Sequence, residues 1–352
     1  MKIAFIIGNG FNYLIESIIR NTDELELPAR LHSSKDELSD RIKSISSLWK
    51  KFDLLFHELK KGYPSVNEEE LIRMIYAVLD FFSSIEAFEK VIGKEEIERI
   101  KHTFNFLLID KIKEIAEEFR QHETSEGYKD LKRIFPYFGD SFKNLLDKNS
   151  ITSCDIFTTN YDGIFDTLLT KSSQRGFLGA DGFGRTYDVP GYFKLYEDNL
   201  KSDLRVLHIH GSYRFEKKFG NTYKTPKDAI NGDPVIIFNN PYQKEELINR
   251  NPVLNRYFLA LQEALESADK LIILGNSMKN EPHLKKIIKN KFNAENKSIY
   301  VCSRTPSEVK KEINQQLNYE VFERTTKHIT SINGLINLID EIIQHSPSSK
   351  IK

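Results

Sequence analysis

The sequence predicts a doubly wound α/β fold, built on a parallel sheet and carrying an all-helical insert. The chain opens with the apolar run Ile3–Ile7, which ends at Gly8 and leads into a helical pattern. After residue 150 come further short runs that are apolar on both faces, as in buried parallel strands joined by crossover helices. Between these two parts, residues 31–149 have apolar residues at helical spacing and few glycines.

The domain boundaries are predicted from this change in pattern. Residues 1–30 and 150–345 are assigned to the α/β domain, and residues 31–149 to an insert of roughly four to six helices, judged from ordinary helix lengths. A sheet of about six strands is expected, as in ordinary doubly wound folds. The predicted later strands are Cys154–Phe157, Val206–His210, Val235–Phe238, Leu271–Leu274 and Ser298–Cys302. The glycine-rich stretch 176–193 is predicted to be a long loop.

The composition argues against several classes of function. Lys+Arg and Asp+Glu both number 51, so the zero net charge gives no electrostatic signature of binding to nucleic acid or to an anionic membrane. The first apolar run is too short for a signal peptide, and no later run approaches the length of a membrane span, so we expect a cytoplasmic protein. The two cysteines, Cys154 and Cys302, cannot supply the four thiolates of a structural zinc site. We expect both to be buried in strands and unbridged, and we expect no zinc.

The first candidate motif is the turn GNGF after the first strand. Two glycines at a strand end let the backbone approach a phosphate, and the following helix N-terminus offers N–H groups and a positive dipole. Tyr13 stands where G-x-G-x-x-G would have its third glycine, so a tight turn without a ligand is the alternative. The candidate residues are Gly8, Asn9, Gly10 and Phe11.

The second motif, FTTNYD, brings Thr159, Asn160 and Asp162 to a strand end, where open α/β sheets bind ligands. The alternative is a helix N-cap, with Asn160 or Asp162 capping a helix that runs through Ile164.

The third motif is VLHIHG. At a strand period of two, His208 and His210 face the same side, and Gly211 would let a ligand approach the second histidine. A catalytic base, a metal pair and core histidines are the three possibilities, and the sequence pattern offers no third metal ligand. We assign His210 to chemistry, because it lies at the strand end, and His208 to a supporting hydrogen bond.

Two more strand ends bear small polar or basic residues. One has Gly275, Asn276 and Ser277, and the other has Ser303 and Arg304. Each is an ordinary strand-to-loop turn when taken alone, and Arg304 can pair with a phosphate or with a surface carboxylate. Convergence of four or five such ends at one sheet edge is what a dinucleotide site requires.

In this order the motifs resemble the sirtuin (silent information regulator) family, which has a Rossmann-like fold. The combination of TTNYD with H-x-HG looks most like the sirtuin-like domains of prokaryotic anti-phage defence systems. The resemblance covers residues 1–30 and about 150–325, and the helical stretch matches the position of the insert in such proteins.

The resemblance implies a role for each candidate residue in binding NAD. Gly8, Gly10 and Phe11 would line the pyrophosphate and neighbouring ribose, Gly275 and Ser277 would hold phosphate and the adenosine ribose, and Ser303 or Arg304 would border the adenine. Asn9, Thr159 and Asn276 are grouped with these binding residues. Asn160 would fix the nicotinamide-side ribose or the attacking water, with Asp162 beside it, and His210 would be the general base.

Two departures from the deacetylases point to water as the acceptor. The chain cannot form their four-cysteine zinc ribbon, and it reads GNGF where they have G-A-G-x-S. The expected activity is therefore hydrolysis of NAD by the effector of an anti-phage defence system, and the alternative is a non-catalytic module that senses NAD or a derivative. A nuclease has little support in the sequence. By analogy with such effectors we expect a homo-oligomer and a separate sensor chain or a HerA-type ATPase partner.

Overall fold

The first strand, β1 (Lys2–Ile7), lies inside a six-stranded sheet of the α/β type. The structure is a computed structural model. It describes residues 1–21, 35–47, 61–63, 66, 68–85, 90, 93–124, 135, 137–169, 178–226, 233–238, 241–292, 297–314 and 320–346.

All neighbouring strands of this sheet are parallel. The other strands are β2 (Ser153–Thr158), β5 (Leu204–His208), β9 (Lys270–Leu274), β10 (Ser298–Ser303) and β11 (Val321–Thr325). Their order across the sheet is β11-β10-β9-β1-β2-β5, and β1 pairs with β2 on one side and with β9 on the other. The predicted parallel sheet of about six strands is confirmed.

Helices cover both faces of the sheet, as predicted for a doubly wound fold. They are α1 (Gly10–Asn21), α2 (Lys35–Ser47), α3 (Glu68–Ser84), α4 (Lys94–Thr124), α5 (Phe138–Lys148), α6 (Ile164–Leu168), α7 (Lys244–Arg250), α8 (Pro252–Ser267), α9 (Pro282–Lys291), α10 (Pro306–Asn314) and α11 (Ile332–Gln344). Because side chains alternate along a strand, Phe5 packs in the cluster that contains α1, α5 and α11, whereas Ala4 and Ile6 pack in the one that contains α8, α9 and α10.

The region assigned to the insert holds helices α2 to α5, and no strand occurs among its described residues. Helix α5 packs on the central sheet, since the ring of Phe142 lies 6.1 Å from that of Phe5. Asn149, just after α5, donates a hydrogen bond to Asp340 of α11 over 2.9 Å. Much of residues 31–149 lies outside the described ranges, and the division at residues 31 and 149 stays a prediction.

A second sheet stands beside the first and is antiparallel. Its strands are β3 (Phe183–Arg185), β4 (Phe193–Leu195), β6 (Gly211–Lys218), β7 (Asn221–Lys224) and β8 (Asp233–Ile236), in the order β3-β4-β7-β6-β8. Two predictions are therefore wrong. The stretch 176–193 is not one long loop, because within its described part it forms β3 and the start of β4. Val235–Phe238 is not a parallel strand, since apolar residues on both faces indicate a buried strand but not its direction.

The turn between β5 and β6 also differs from the prediction. His210 lies after the end of β5, so the period of two does not extend from His208 to His210. Gly211 has φ +87°, and a Cβ there would lie 1.9 Å from the carbonyl oxygen of Val235. Gly211 therefore admits the backbone of β8, and the expectation that it admits a ligand is wrong.

The cysteines and the search for a membrane span concern two further expectations from the sequence. Cys154 and Cys302 are buried and unbridged in β2 and β10, as predicted. No helix in the described part of the chain is both long and apolar enough to cross a membrane.

Candidate functional site

A cavity with two adjoining compartments opens at the carboxyl ends of the parallel strands. The larger compartment has a volume of about 420 Å³ and the smaller one about 140 Å³. Asn9, Glu69, Thr159 and Glu281 line both. The larger volume lies within the usual range of small-molecule sites, about 300–1,000 Å³. The cavity lies where strand order reverses around β1, the position at which such sheets bind ligands.

Most of the predicted residues line this cavity. The larger compartment is lined by Asn9, Gly10, Thr159, Gly275, Asn276, Ser277, Ser303 and Arg304. The smaller one is lined by Asn160, Asp162 and His210, besides Asn9 and Thr159. Gly8 and Phe11 line neither compartment. The ring of Phe11 is buried and lies 5.2 Å from that of Phe165, edge to face, so its side chain belongs to the core.

The glycines of the first motif pack against the turn after β9. The N–H of Gly10 donates to the carbonyl of Gly275 over 2.7 Å, and a Cβ on Gly275 would lie 2.2 Å from the nitrogen of Phe11. A Cβ on Gly8 would lie 2.8 Å from Asn276. These glycines therefore let two strand-end turns touch, which is a packing requirement.

The first N–H groups of α1 are already bonded within the protein. Those of Phe11 and Asn12 donate to the carbonyls of Gly8 and Asn9 over 2.9 and 3.0 Å, and Gly10 donates to Gly275. A phosphate at this helix N-terminus, as the sequence predicts, would have to replace one of these bonds. Ser303 and Arg304 line the larger compartment. A ligand can contact these polar side chains without breaking the backbone hydrogen bonds at the start of α1.

A chain of hydrogen bonds fixes Asn160. Its Nδ2 donates to Oδ1 of Asn12 over 3.2 Å, and Nδ2 of Asn12 donates to Oδ2 of Asp162 over 2.8 Å. Oδ1 of Asp162 accepts the N–H of Ile164 over 3.0 Å. The N-cap of helix α6 is Gly163 and not Asn160 or Asp162, so the N-cap alternative is wrong. Burial raises the pKa of Asp162 from its ordinary value. Oδ1 of Asn160 accepts no hydrogen bond from any described residue, which leaves this oxygen available to a ligand in the smaller compartment.

Thr159 links the strand ends on either side of β1. Its Oγ1 donates to the carbonyl of Ile7 over 3.3 Å and accepts from Nδ2 of Asn276 over 3.0 Å. The hydroxyl therefore holds the FTTNYD turn against the turn after β9.

His208 is buried and makes two hydrogen bonds. Its Nδ1 lies 3.0 Å from the carbonyl oxygen of Asn160, and its Nε2 lies 2.9 Å from Oδ2 of Asp166. Burial alone would lower the pKa of His208, but the charge of Asp166 and the hydrogen bond to it raise the pKa above its ordinary value. His208 thus supports the backbone of Asn160.

His210 is buried at the edge of the smaller compartment and contacts two residues that the sequence analysis missed. Its Nε2 lies 3.0 Å from Nε2 of His283 and 3.5 Å from Oε2 of Glu281. Its Nδ1 has no hydrogen-bond partner among the described residues. Burial, followed by the charge of Lys244, lowers the pKa of His210 well below its ordinary value, so the imidazole is neutral at pH 7. Both missed residues lie in the run NEPHL, where Glu281 and His283 flank the proline at the start of α9, and nothing in this run by itself marks a site.

A buried lysine completes this part of the site. Nζ of Lys244 donates to Oε1 of Glu281 and to Oε2 of Glu69, each over 3.1 Å. Burial raises the pKa of Glu281 to about 7, although the charge of Lys244 acts in the opposite direction. Glu69 comes from α3, so the region assigned to the insert contributes a side chain to the cavity wall.

Comparison with known proteins identifies one family. Residues 155–323 match the family model of the SIR2-like domain. The matched range runs from β2 to β11 and includes the Asn160, His210, Ser277 and Arg304 positions. No curated protein matches the chain.

Proposed function

We propose that the chain, whose residues 155–323 match the family model of the SIR2-like domain, binds NAD as domains of this type do and hydrolyses it to nicotinamide and ADP-ribose. One observation carries this proposal. Asn160 and His210 line the same compartment of about 140 Å³, and this compartment adjoins one large enough for a nucleotide.

The larger compartment suits the ADP part of the substrate. Ser277 and Ser303 supply hydroxyls, and Arg304 supplies a guanidinium that is geometrically matched to phosphate oxygens. With the adenosine and pyrophosphate bound there, the nicotinamide ribose enters the smaller compartment beside Asn160.

Hydrolysis breaks the bond between C1′ of the ribose and the nicotinamide nitrogen. The bonding electron pair leaves with nicotinamide, a water oxygen bonds to C1′, and the water gives up a proton. Asn160 accepts a hydrogen bond from the water or from a ribose hydroxyl through Oδ1. His210 accepts the proton through Nδ1, a step that general bases accelerate by about 10²–10⁴-fold.

In this scheme Asp162 is a positioning residue. Both of its carboxylate oxygens already accept hydrogen bonds, from Asn12 and from the backbone of Ile164. Through Asn12 it fixes the amide of Asn160, and its removal would misplace that amide.

Water, and not acetyl-lysine, is the proposed acceptor. The two cysteines cannot form a four-thiolate zinc ribbon, so we propose turnover without a structural or catalytic zinc ion. The resemblance of TTNYD and H-x-HG to defence proteins supports a role as the effector that depletes the cytoplasmic NAD pool after phage infection. A homo-oligomer and a sensor or HerA-type ATPase on another chain belong to the same proposal, by analogy alone.

The test is nicotinamide release from NAD, measured with the purified chain and in extracts of phage-infected cells. Asn160→Ala and His210→Ala should each abolish release, whereas the exposed-site controls Asn221→Ala and His328→Ala should retain it. Binding of NAD by calorimetry without release under either condition would instead identify a non-catalytic NAD-sensing module.

A further inference from the structure

Three side-chain atoms beside the smaller compartment have the spacing of metal ligands. Nε2 of His210 and Nε2 of His283 lie 3.0 Å apart, and Oε2 of Glu281 lies 3.5 and 3.7 Å from them. The circle through three points at these separations has a radius of about 2.0 Å, which equals the usual bond length from zinc to imidazole nitrogen or carboxylate oxygen. One ion can therefore contact all three atoms without any of them moving far.

The carboxylate is oriented so that one oxygen faces the two imidazoles. Lys244 donates to Oε1 of Glu281, whereas Oε2 is buried and has no hydrogen-bond partner among the described residues. Unsatisfied buried polar atoms are rare in proteins, and a ligating carboxylate commonly has a hydrogen bond to its other oxygen. The pairing of Glu281 with Lys244 fits that arrangement.

We propose that His210, His283 and Glu281 bind one divalent transition-metal ion of the zinc type, and that the bound ion switches off the hydrolase. Metal binding is independent of the proposed function, whereas the inhibition rests on it.

The ligand chemistry selects the class of ion. Two imidazoles and a carboxylate are a set that zinc, cobalt and related ions accept, while calcium and magnesium prefer all-oxygen sites. The neighbouring charges are also compatible, because the carboxylates of Glu69 and Glu281 both pair with the ammonium of Lys244. The adjoining compartment gives the ion access and leaves room for a water as fourth ligand.

Inhibition follows from the chemistry of imidazole. A neutral imidazole has one nitrogen with a free electron pair and one nitrogen that carries a proton. In the metal-free protein, His210 can keep its proton on Nε2, facing His283, and accept a proton from water at Nδ1. An ion bound to Nε2 moves the proton to Nδ1, and His210 then has no nitrogen that accepts a proton.

The first part of the test measures metal binding by the chelator-treated full chain. Calorimetry with Zn²⁺ and the visible absorption of added Co²⁺ should both show one ion bound per chain. His283→Phe, which keeps a ring against Phe258, and Glu281→Gln should each weaken binding by at least about tenfold, since each removes a ligand. The controls His328→Ala and Glu308→Gln change exposed side chains and should bind as wild type does.

The second part measures nicotinamide release by the wild-type protein with and without bound Zn²⁺. At one ion per chain, nicotinamide release should fall at least about tenfold, because the bound ion removes the general-base contribution of His210. A chelator should restore the release. The absence of stoichiometric binding, or equal binding by wild type and His283→Phe, overturns the site. Binding without inhibition overturns the switch alone. Binding by a protein that never releases nicotinamide leaves the site standing and overturns the proposed hydrolase together with its switch.

Discussion

Nε2 of His210 lies 3.0 Å from Nε2 of His283, and the two ring centroids are 5.1 Å apart. Both residues are almost fully buried, and one of the two Nε2 atoms must donate in this contact, so His283 constrains which nitrogen of His210 carries the proton. We expect His283 to act as a positioning residue for the reaction even when no metal ion is bound.

The first prediction concerns His283 in the metal-free enzyme. His283→Phe should lower kcat by up to about 10²-fold and leave KM for NAD within about twofold, because only the orientation and tautomer of His210 change. Steady-state kinetics after chelator treatment provides the measurement. His283→Gln retains a donor and an acceptor and should recover part of kcat. Full kcat in His283→Phe would show that His283 has no positioning role.

The second prediction concerns His208 and stability. His208→Ala removes the hydrogen-bond partner of the partly buried carboxylate of Asp166 and should reduce the free energy of unfolding by about 1–3 kcal/mol. Urea unfolding of this variant against His328→Ala, which removes an exposed imidazole, gives the comparison. Equal stability of the two variants would mean that the pair of His208 and Asp166 contributes nothing to the free energy of unfolding.

The third prediction tests the contact between the two glycine turns. Gly275 and Gly220 both have positive φ, +65° and +78°, so replacement by alanine strains the backbone at both positions. Only Gly275→Ala also brings a Cβ within 2.2 Å of another residue, because nothing lies within 4 Å of a Cβ at position 220. Thermal melts should therefore show a larger fall in Tm for Gly275→Ala than for Gly220→Ala. Equal falls in Tm would refute the packing role of Gly275.

The fourth prediction concerns Arg304 in the larger compartment. Arg304→Gln should raise KM for NAD several-fold with kcat nearly unchanged, because a contact to the ADP part contributes equally to ground state and transition state. Arg324→Gln, on β11 outside the cavity lining, is the matched control. An unchanged KM in Arg304→Gln would remove this residue from the binding site.

The sequence predicted the parts of the site that follow directly from strand ends. Asn160 and His210 come together because parallel strands deliver their carboxyl ends to one edge, which strand patterns reveal. His283, Glu281 and Lys244 were missed because their approach depends on how helices pack, which local patterns do not encode. Strand β11 was also missed. It lies at the sheet edge, where Glu323 and Arg324 interrupt the apolar run.

Isotope transfer from water tests the central proposal most directly. Turnover of NAD in H₂¹⁸O should yield nicotinamide and free ADP-ribose in equal amounts, with one ¹⁸O bonded to C1′ of the ribose that held nicotinamide. Mass spectrometry measures the ¹⁸O in ADP-ribose, with the reaction quenched before the sugar exchanges oxygen with the solvent. Nicotinamide released without labelled ADP-ribose would mean that a group other than water attacks C1′, and it would contradict the assignment of this protein as an NAD hydrolase.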